Sequence, residues 1–240
     1  MIYIEKIRNL HQSGGDDPYP YNIPFIRHLK ELKFRKEVTF VIGENGSGKS
    51  TLVEAIAVSL GLNPEGGTRN FNFSTASTHS ELYREIKVTR GPHREKDAFF
   101  LRAESVYNVA SEIDNIKYGI HAFYGGVSLH EISHGESFLN TIMHRFGGNG
   151  VFILDEPEAA LSPASIFRVM IRMKELVGQN SQFIIATHSP LLLAYPDAEI
   201  WAVDEEGLNN VAYEDTEQYR ITKYFLNNHK KFLEDLFSEK

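Results

Sequence analysis

The segment from Gly43 to Ser50 has the residue types and spacing of a loop that binds phosphate. It reads GENGSGKS and follows the short apolar run from Val38 to Ile42. Glycines let the backbone adopt positive φ angles and approach phosphate oxygens, while the loop N–H groups and the next helix start supply positive potential. A glycine-rich turn with a solvated lysine is the alternative. The setting between a predicted strand and a predicted helix favours phosphate binding.

The side chains of this loop have distinct expected roles. Lys49 should bridge the β- and γ-phosphates of a nucleotide, and the hydroxyl of Ser50 should ligate magnesium. ATP and Mg²⁺ are therefore the predicted ligands. The predicted nucleotide-binding residues are Gly43, Glu44, Asn45, Gly46, Ser47, Gly48, Lys49, Ser50 and Thr51.

An acidic pair follows a second apolar run, in the segment VFILDEPE. Asp155 and Glu156 come directly after residues 151–154, as they would at the carboxyl end of a buried parallel strand. Asp155 can then hold magnesium, and Glu156 can polarise the attacking water. An acidic pair can also simply cap the following helix. The complete phosphate loop earlier in the chain favours the catalytic interpretation.

Two further motifs flank this acidic strand. SHGES, from Ser133 to Ser137, precedes it, and EAALSP follows it. Alone, SHGES would be an ordinary helix-capping turn. In this order the motifs resemble the ABC-type P-loop ATPase superfamily. Within it, the chain is more similar to SMC-like heads and to small stand-alone bacterial ATPases of the AAA and ABC-named families than to transporter subunits.

The resemblance implies roles for residues outside the phosphate loop. The segment SHGES would be a signature motif that binds in trans, contacting the γ-phosphate of the nucleotide held by a second copy. A loop within EAALSP would cross the dimer interface. His188, in ATHS, matches the switch histidine that positions the catalytic carboxylate. The implied catalytic residues are Glu156, His188 and Lys49; the trans signature is Ser133, His134, Gly135 and Glu136; and the interface loop is Ala160, Leu161 and Ser162, with serine where aspartate is usual.

Two family elements lack a direct match. No glutamine occurs between Thr51 and Ser133, so the usual glutamine loop is missing. Arg102 or Glu104 could replace its contact, with an ordinary surface salt bridge as the alternative. The adenine-stacking aromatic is also open; the alternative for each candidate is packing within the loop. These candidates are Tyr19, Tyr21 and Phe25.

The alternation of strands and helices around these residues predicts an α/β fold with a mainly parallel central sheet flanked by helices, and an antiparallel β lobe. The resemblance implies that this fold is a P-loop NTPase with an ABC-ATPase-like head. We expect one domain over 1–240, with an inserted β lobe over 65–97 and a C-terminal helical tail over 216–240. Apolar spacing and glycine breaks predict helices over 52–60, 129–146 and 165–177, and alternation predicts a strand over 82–90.

Composition narrows the classes of protein. The chain has 240 residues, a formal charge of −7 and no cysteine, which argues against a disulfide scaffold, a thiolate metal site and broad non-specific nucleic-acid binding. Charged residues in the first ten positions argue against a signal peptide, and no apolar run is long enough to span a bilayer. We expect a cytoplasmic protein without direct membrane insertion. A modest basic patch could contact nucleic acid or simply be solvated; it comprises Arg69, Arg84, Lys87, Arg90, His93, Arg94 and Lys96.

The sequence therefore predicts Mg²⁺-dependent ATP hydrolysis by a homodimer that forms on ATP binding and drives or regulates a partner. The partner is unidentified; by analogy it could be a nuclease or another protein of nucleic-acid repair or phage defence. The alternatives are an ATP-dependent dimerisation switch with little turnover, the ATPase subunit of a transporter, and a nucleotide kinase, which would need an acceptor pocket and an arginine-bearing lid.

Overall fold

The central sheet has six strands, five of which are joined by parallel pairing. This computed structural model describes residues 1–12, 14–69, 80–105 and 133–238. The strands of this sheet are β3 (Val38–Ile42), β5 (Asp97–Arg102), β6 (Gly150–Asp155), β7 (Gln182–Ala186), β8 (Glu199–Asp204) and β9 (Gly207–Val211). Their order across the sheet is β5-β6-β7-β3-β8-β9, and β9 pairs antiparallel with β8 at the edge. The predicted mainly parallel sheet is confirmed.

A second, antiparallel sheet has the order β2-β1-β4. It consists of β1 (Ile4–Asn9), β2 (Glu31–Lys33) and β4 (Ile86–Arg90). The expected strand over 82–90 is wrong in its first part, because Glu81–Arg84 forms a 3-10 turn. Ser80 Oγ accepts a hydrogen bond from the Leu82 backbone N–H at 3.1 Å, which favours a turn over an extended start. Of the three strands, only β4 comes from the predicted β lobe over residues 65–97. That this lobe is an insertion stays a prediction.

Helices cover both faces of the parallel sheet. They are α1 (Pro24–His28), α2 (Lys49–Ser59), α3 (His134–Asn140, continued by a π-helical turn over Thr141–Arg145), α4 (Pro163–Gly178), α5 (Pro190–Leu193) and α6 (Glu217–Ser238). Alternate side chains of β3 enter different cores: Phe40 packs with α3 and α4, and Val41 with α2 and the antiparallel sheet. The predicted helices over 52–60 and 165–177 are confirmed. The one over 129–146 begins at His134, and residues 129–132 lie outside the described ranges.

The C-terminal helix α6 buries none of its residues. Its backbone departs from helical angles at Asn228, and it leaves large apolar side chains such as Leu226 and Phe237 exposed. The predicted amphipathic tail therefore forms a helix, with residues 239–240 outside the described ranges. No helix in the described ranges is long and apolar enough to cross a bilayer.

Ion pairs neutralise part of the predicted basic patch. Arg69 and Arg90 both contact the carboxylate of Glu95, and Arg84 pairs with Glu81 at 3.0 Å. Nucleic-acid binding by this patch stays a prediction, now with fewer uncompensated charges to support it.

A buried glutamine joins the two sheets. Gln182 opens β7, and its Oε1 accepts hydrogen bonds from the backbone N–H groups of Tyr3 and Ile4, both at 2.9 Å. Its Nε2 donates to the Ile4 carbonyl at 3.0 Å. Backbone groups buried at the start of β1 thus find partners in one side chain rather than in another strand.

Replacing Gln182 by leucine should lower the free energy of unfolding by about 2–4 kcal/mol, because two buried N–H groups and one carbonyl lose partners. Urea unfolding of Gln182→Leu measures the change. Gln12→Leu, at an exposed position, is the matched control and should change stability by less than about 0.5 kcal/mol. Equal stability of the two variants would contradict this role.

Candidate active site

The phosphate loop is held in shape by positive backbone angles and by helix α1. Gly46 has φ 78° and Gly48 has φ 97°. A Cβ on Gly48 would lie 2.8 Å from a ring carbon of Phe25 and 2.9 Å from a methyl of Ile23. The N-cap and first turn of α1 therefore pack directly against the loop, a contact that the sequence motif did not reveal.

Lys49 is the first residue of α2, and its side chain folds back onto the phosphate loop. It is buried, and its Nζ donates a hydrogen bond to the Glu44 carbonyl at 2.7 Å. Burial lowers the pKa of Lys49, and nearby carboxylates, led by Glu156, oppose that shift. The ammonium is thus folded over the loop and available to exchange a carbonyl for a phosphate oxygen.

Ser50 and Asp155 meet across the ends of α2 and β6. The Ser50 hydroxyl donates to Asp155 Oδ1 at 2.9 Å. Asp155 is only 5% exposed; burial raises its pKa to about 6, while Arg102 and the Ser50 hydrogen bond act in the opposite direction. A hydroxyl and a carboxylate oxygen are the hard donors that Mg²⁺ prefers. The donor set therefore fits the predicted magnesium site.

Glu156, directly after β6, and His188, just after β7, approach each other. Glu156 has φ 49°, and its backbone N–H donates to the Ala186 carbonyl at 2.9 Å. Its Oε1 lies 3.6 Å from His188 Nε2. Both side chains remain partly exposed. Both groups are thus accessible to solvent at the site and are not packed into the core.

Glu158 is a site residue that the sequence reasoning missed. Its Oε1 accepts a short hydrogen bond from the backbone N–H of His188. The loop after β6 thereby fixes the loop after β7, and with it the histidine. The only signal in the sequence was a third acidic residue in VFILDEPE, two positions after Glu156.

Arg102, rather than Glu104, reaches the site from the end of β5. Its Nη1 contacts Glu54 Oε2 at 2.7 Å, and its Nε lies 3.4 Å from Asp155 Oδ2. These side chains are largely buried, so the contact is not the surface salt bridge considered above. Glu104 is exposed and acts on Asp155 only through its charge.

The signature residues form the start of α3. Ser133 is the N-cap, with its hydroxyl accepting from the Glu136 N–H, while the Glu136 carboxylate accepts from the Ser133 N–H at 3.0 Å. A Cβ on Gly135 would lie 2.5 Å from the Ala160 carbonyl oxygen, and His134 Nε2 lies 3.3 Å from the Ala103 carbonyl. The signature thus packs against the predicted interface loop.

The interface loop ends where α4 begins. Ala160 follows the 3-10 turn Pro157–Ala159, and Leu161 packs against the core. Ser162 caps α4 by accepting from the Ser165 N–H at 3.2 Å. The serine at the usual aspartate position therefore has a local structural use, and its role across a dimer interface stays a prediction.

The three candidate aromatics occupy different environments. Tyr19 is 62% exposed, with its hydroxyl 3.2 Å from Thr51 Oγ1. Tyr21 stacks on His11 at 3.8 Å between ring centroids, and Phe25 is fully buried. Of the three, only Tyr19 presents a free ring beside the phosphate loop.

A cavity of about 610 Å³ adjoins the first half of the loop. It is lined by residues 43–47, the end of β8 and the first turn of α6, including Asp204 and Gln218. The start of the C-terminal helix therefore lies next to the loop that is expected to hold phosphate.

The sequence matches two described families. Residues 76–194 match "AAA domain, putative AbiEii toxin, Type IV TA system", and residues 22–125 match "AAA domain". The fold resembles cbiO1 of Clostridium perfringens, part of the ABC transporter complex cbiONQ, with a TM-score of 0.51 and 19% identity over 94% of this chain and 96% of that one. It also resembles the dimeric structure of a bacterial ABC transporter cassette, with a TM-score of 0.51 and 15% identity over 88% and 99%.

Two curated relatives are more similar in sequence. The energy-coupling factor transporter ATP-binding protein EcfA2 of Methanospirillum hungatei is 28% identical over 206 residues, which cover 79% of this chain and 51% of that protein. An uncharacterized ABC transporter ATP-binding protein of Haemophilus influenzae is 25% identical over 200 residues, or 75% of each chain. This chain thus spans about half the length of the first relative.

A parallel sheet with a phosphate loop after one strand and an acidic pair after another defines a P-loop NTPase. The sequence matches agree with that class: the chain has the features of an AAA/ABC-type P-loop ATPase domain. Its fold is consistent with ATP binding and hydrolysis. ATP, and typically Mg²⁺, are the ligands that this superfamily implies.

Gly48→Ala should lower the free energy of unfolding by about 1–3 kcal/mol more than Gly46→Ala, measured without nucleotide. Both glycines have positive φ, so both alanines are strained. Only the one at 48 also collides with Phe25 and Ile23, whereas a Cβ at 46 meets nothing within 4 Å. Equal losses would show that packing of α1 does not shape the loop.

Proposed function

We propose that this chain binds ATP with Mg²⁺, hydrolyses it in a nucleotide-sandwich dimer, and uses the opening and closing of that dimer to drive or regulate a partner protein. The observation that supports hydrolysis most directly is the meeting of Ser50 with Asp155, and of Glu156 with His188, at neighbouring ends of parallel strands. Groups for a cation and for an attacking water thus lie on one edge of the sheet.

In this mechanism, the loop N–H groups and Lys49 hold the β- and γ-phosphates and balance the charge that develops on them. Ser50 and Asp155 would hold the magnesium ion, which supplies electrostatic stabilisation of the transferring phosphoryl group. Glu156 orients water in line with the γ-phosphate, and His188 holds that carboxylate in place. Glu158 fixes the backbone of His188.

The signature residues are proposed to complete the site of a second copy. The first N–H groups of a helix have no partner further along the helix and favour an anion, and the dimeric cassette of similar fold offers a precedent for paired copies. Hydrolysis would remove the phosphate that links the copies and open the dimer.

The partner is the least constrained part of the proposal. The relatives named as transporter ATP-binding proteins favour a transporter subunit, whereas the toxin-system description of the matched family favours a defence role. A nuclease or repair partner rests on the sequence analogy alone. Light-scattering and turnover experiments test the ATPase cycle independently of the partner.

Glu156→Gln should reduce ATP turnover by about 10²- to 10³-fold while retaining ATP binding, because it removes the group that orients water. With ATP and Mg²⁺ it should also accumulate as a dimer by light scattering, and adding Ser133→Arg should abolish that dimer. Glu234→Gln on α6 is the control and should behave as wild type. A monomer that holds ATP would contradict the sandwich, and a dimerising wild type without turnover would favour the switch alternative.

Tyr19→Ala should weaken ATP binding by about 1–3 kcal/mol, the range measured for a base stacked on an aromatic ring. Tyr19→Phe should retain most of the affinity, since it keeps the ring and loses only the hydroxyl near Thr51. Tyr21→Ala is the matched control, because Tyr21 already stacks on His11. Equilibrium titration with a fluorescent ATP analogue measures all three; a larger loss in Tyr21→Ala would reject Tyr19 as the stacking residue.

A further inference from the structure

A guanidinium group lies against the carboxylate that is expected to serve the cation. Arg102 is the direct register partner of Asp155 on the adjacent strand, which brings its Nε to 3.4 Å from Asp155 Oδ2. The opposite oxygen, Oδ1, accepts the Ser50 hydrogen bond. One cationic side chain therefore already compensates part of the charge that a divalent cation would use.

A second carboxylate holds Arg102 from the other side. Glu54 lies one helical turn after Ser50 on α2, and its Oε2 contacts Arg102 Nη1 at 2.7 Å. Its Oε1 accepts from the Ser80 N–H at 2.9 Å, so Glu54 is fixed independently of Arg102. The exposed fractions of the Arg102, Glu54 and Asp155 side chains are 20%, 10% and 6%, so solvent screens these charges weakly.

The two contacts of Arg102 differ in quality. Its Nη1 makes a charge-assisted hydrogen bond to Glu54. Its Nε is buried without a hydrogen-bond partner in the described part of the chain, so its contact with Asp155 is a charge contact only. The guanidinium is therefore anchored mainly by Glu54. Losing its contact with Asp155 costs less free energy than losing its hydrogen bond to Glu54.

Resting on the proposed Mg²⁺-ATP site, we propose that Arg102 competes with the divalent cation for Asp155, and that Glu54 restrains Arg102 and so limits this competition. Arg102 and Glu54 are positioning residues that set the cation concentration at which the site fills. Two cations beside one buried carboxylate repel each other. Glu54 reduces that repulsion, because its carboxylate neutralises part of the positive charge of Arg102.

The proposal predicts opposite effects for two substitutions within one ion-paired group. Arg102→Gln removes the competing charge and should tighten cation binding about tenfold. Glu54→Gln leaves Arg102 with Asp155 as its remaining charged partner and should weaken cation binding about tenfold. A purely structural role would weaken binding in both variants, since both disrupt the same buried contact.

The test measures Mn²⁺ binding by electron paramagnetic resonance, in the presence of a non-hydrolysable ATP analogue, so that turnover is not the readout. Arg145→Gln is the matched control, because Arg145 forms a similarly buried pair with Asp97, at 2.8 Å, at the other end of β5. It should leave Mn²⁺ affinity unchanged. The double variant Glu54→Gln/Arg102→Gln removes both charges together and serves if a single variant fails to fold; it should bind Mn²⁺ more tightly than Glu54→Gln alone, and at least as tightly as wild type.

Unchanged or weaker Mn²⁺ binding in Arg102→Gln would overturn the proposal, as would a double variant that binds no more tightly than Glu54→Gln. Wild-type protein that takes up no Mn²⁺ with the analogue would instead contradict the proposed function itself. The two failures are thus distinguishable in one set of titrations.

Discussion

The register of three parallel strands is the constraint on which the site depends. In the pairing of β5, β6 and β7, Asp155 lies opposite Arg102 on one side and Ala186 on the other. A slip of one residue would turn Asp155 to the other face of the sheet and separate it from Ser50. Fully buried aromatics, including stacked Phe146 and Phe152 at 4.1 Å between centroids, make such a slip costly, because the core would lose its packing. The same strand register therefore determines both the packing of the core and the geometry of the site.

Directly after Asp155, where β6 ends, the backbone turns sharply. Glu156 adopts a left-handed conformation that glycine would accept more readily, and its N–H is held by the Ala186 carbonyl. A residue strained in this way persists only when its surroundings fix it. Here the surroundings are the Glu158 contact to the His188 backbone and the sheet itself. The Glu156 side chain is 41% exposed and lies beside His188, where the proposed mechanism has it orient water.

Sequence motifs predicted the strand ends better than the contacts between them. The phosphate loop, Asp155 and Glu156 could be placed because apolar runs of four or five residues, followed by glycine or acid, are typical of buried parallel strands. Arg102 and Glu54 could not be paired, since their contact depends on the relative placement of β5 and α2, which no local pattern encodes. Strand β2 and the edge strand β9 were missed for a related reason: three residues, or five mostly polar ones, give little periodicity. The Ser80 cap likewise overrode the alternation that suggested a strand from Leu82.

The capping box of α3 links the fold to the question of a second copy. In the single chain, the Glu136 carboxylate occupies both the N–H and the hydroxyl of Ser133, and these hydrogen bonds lower the pKa of Glu136. A γ-phosphate from a partner would bring negative charge to the same donors, so Glu136 and the phosphate could not both remain there. Because Glu136 is exposed, it can turn into solvent with little loss of packing, and the N–H groups at the helix start would then be free for the anion. The cap that stabilises the isolated helix therefore occupies the donors that the proposed dimer would require.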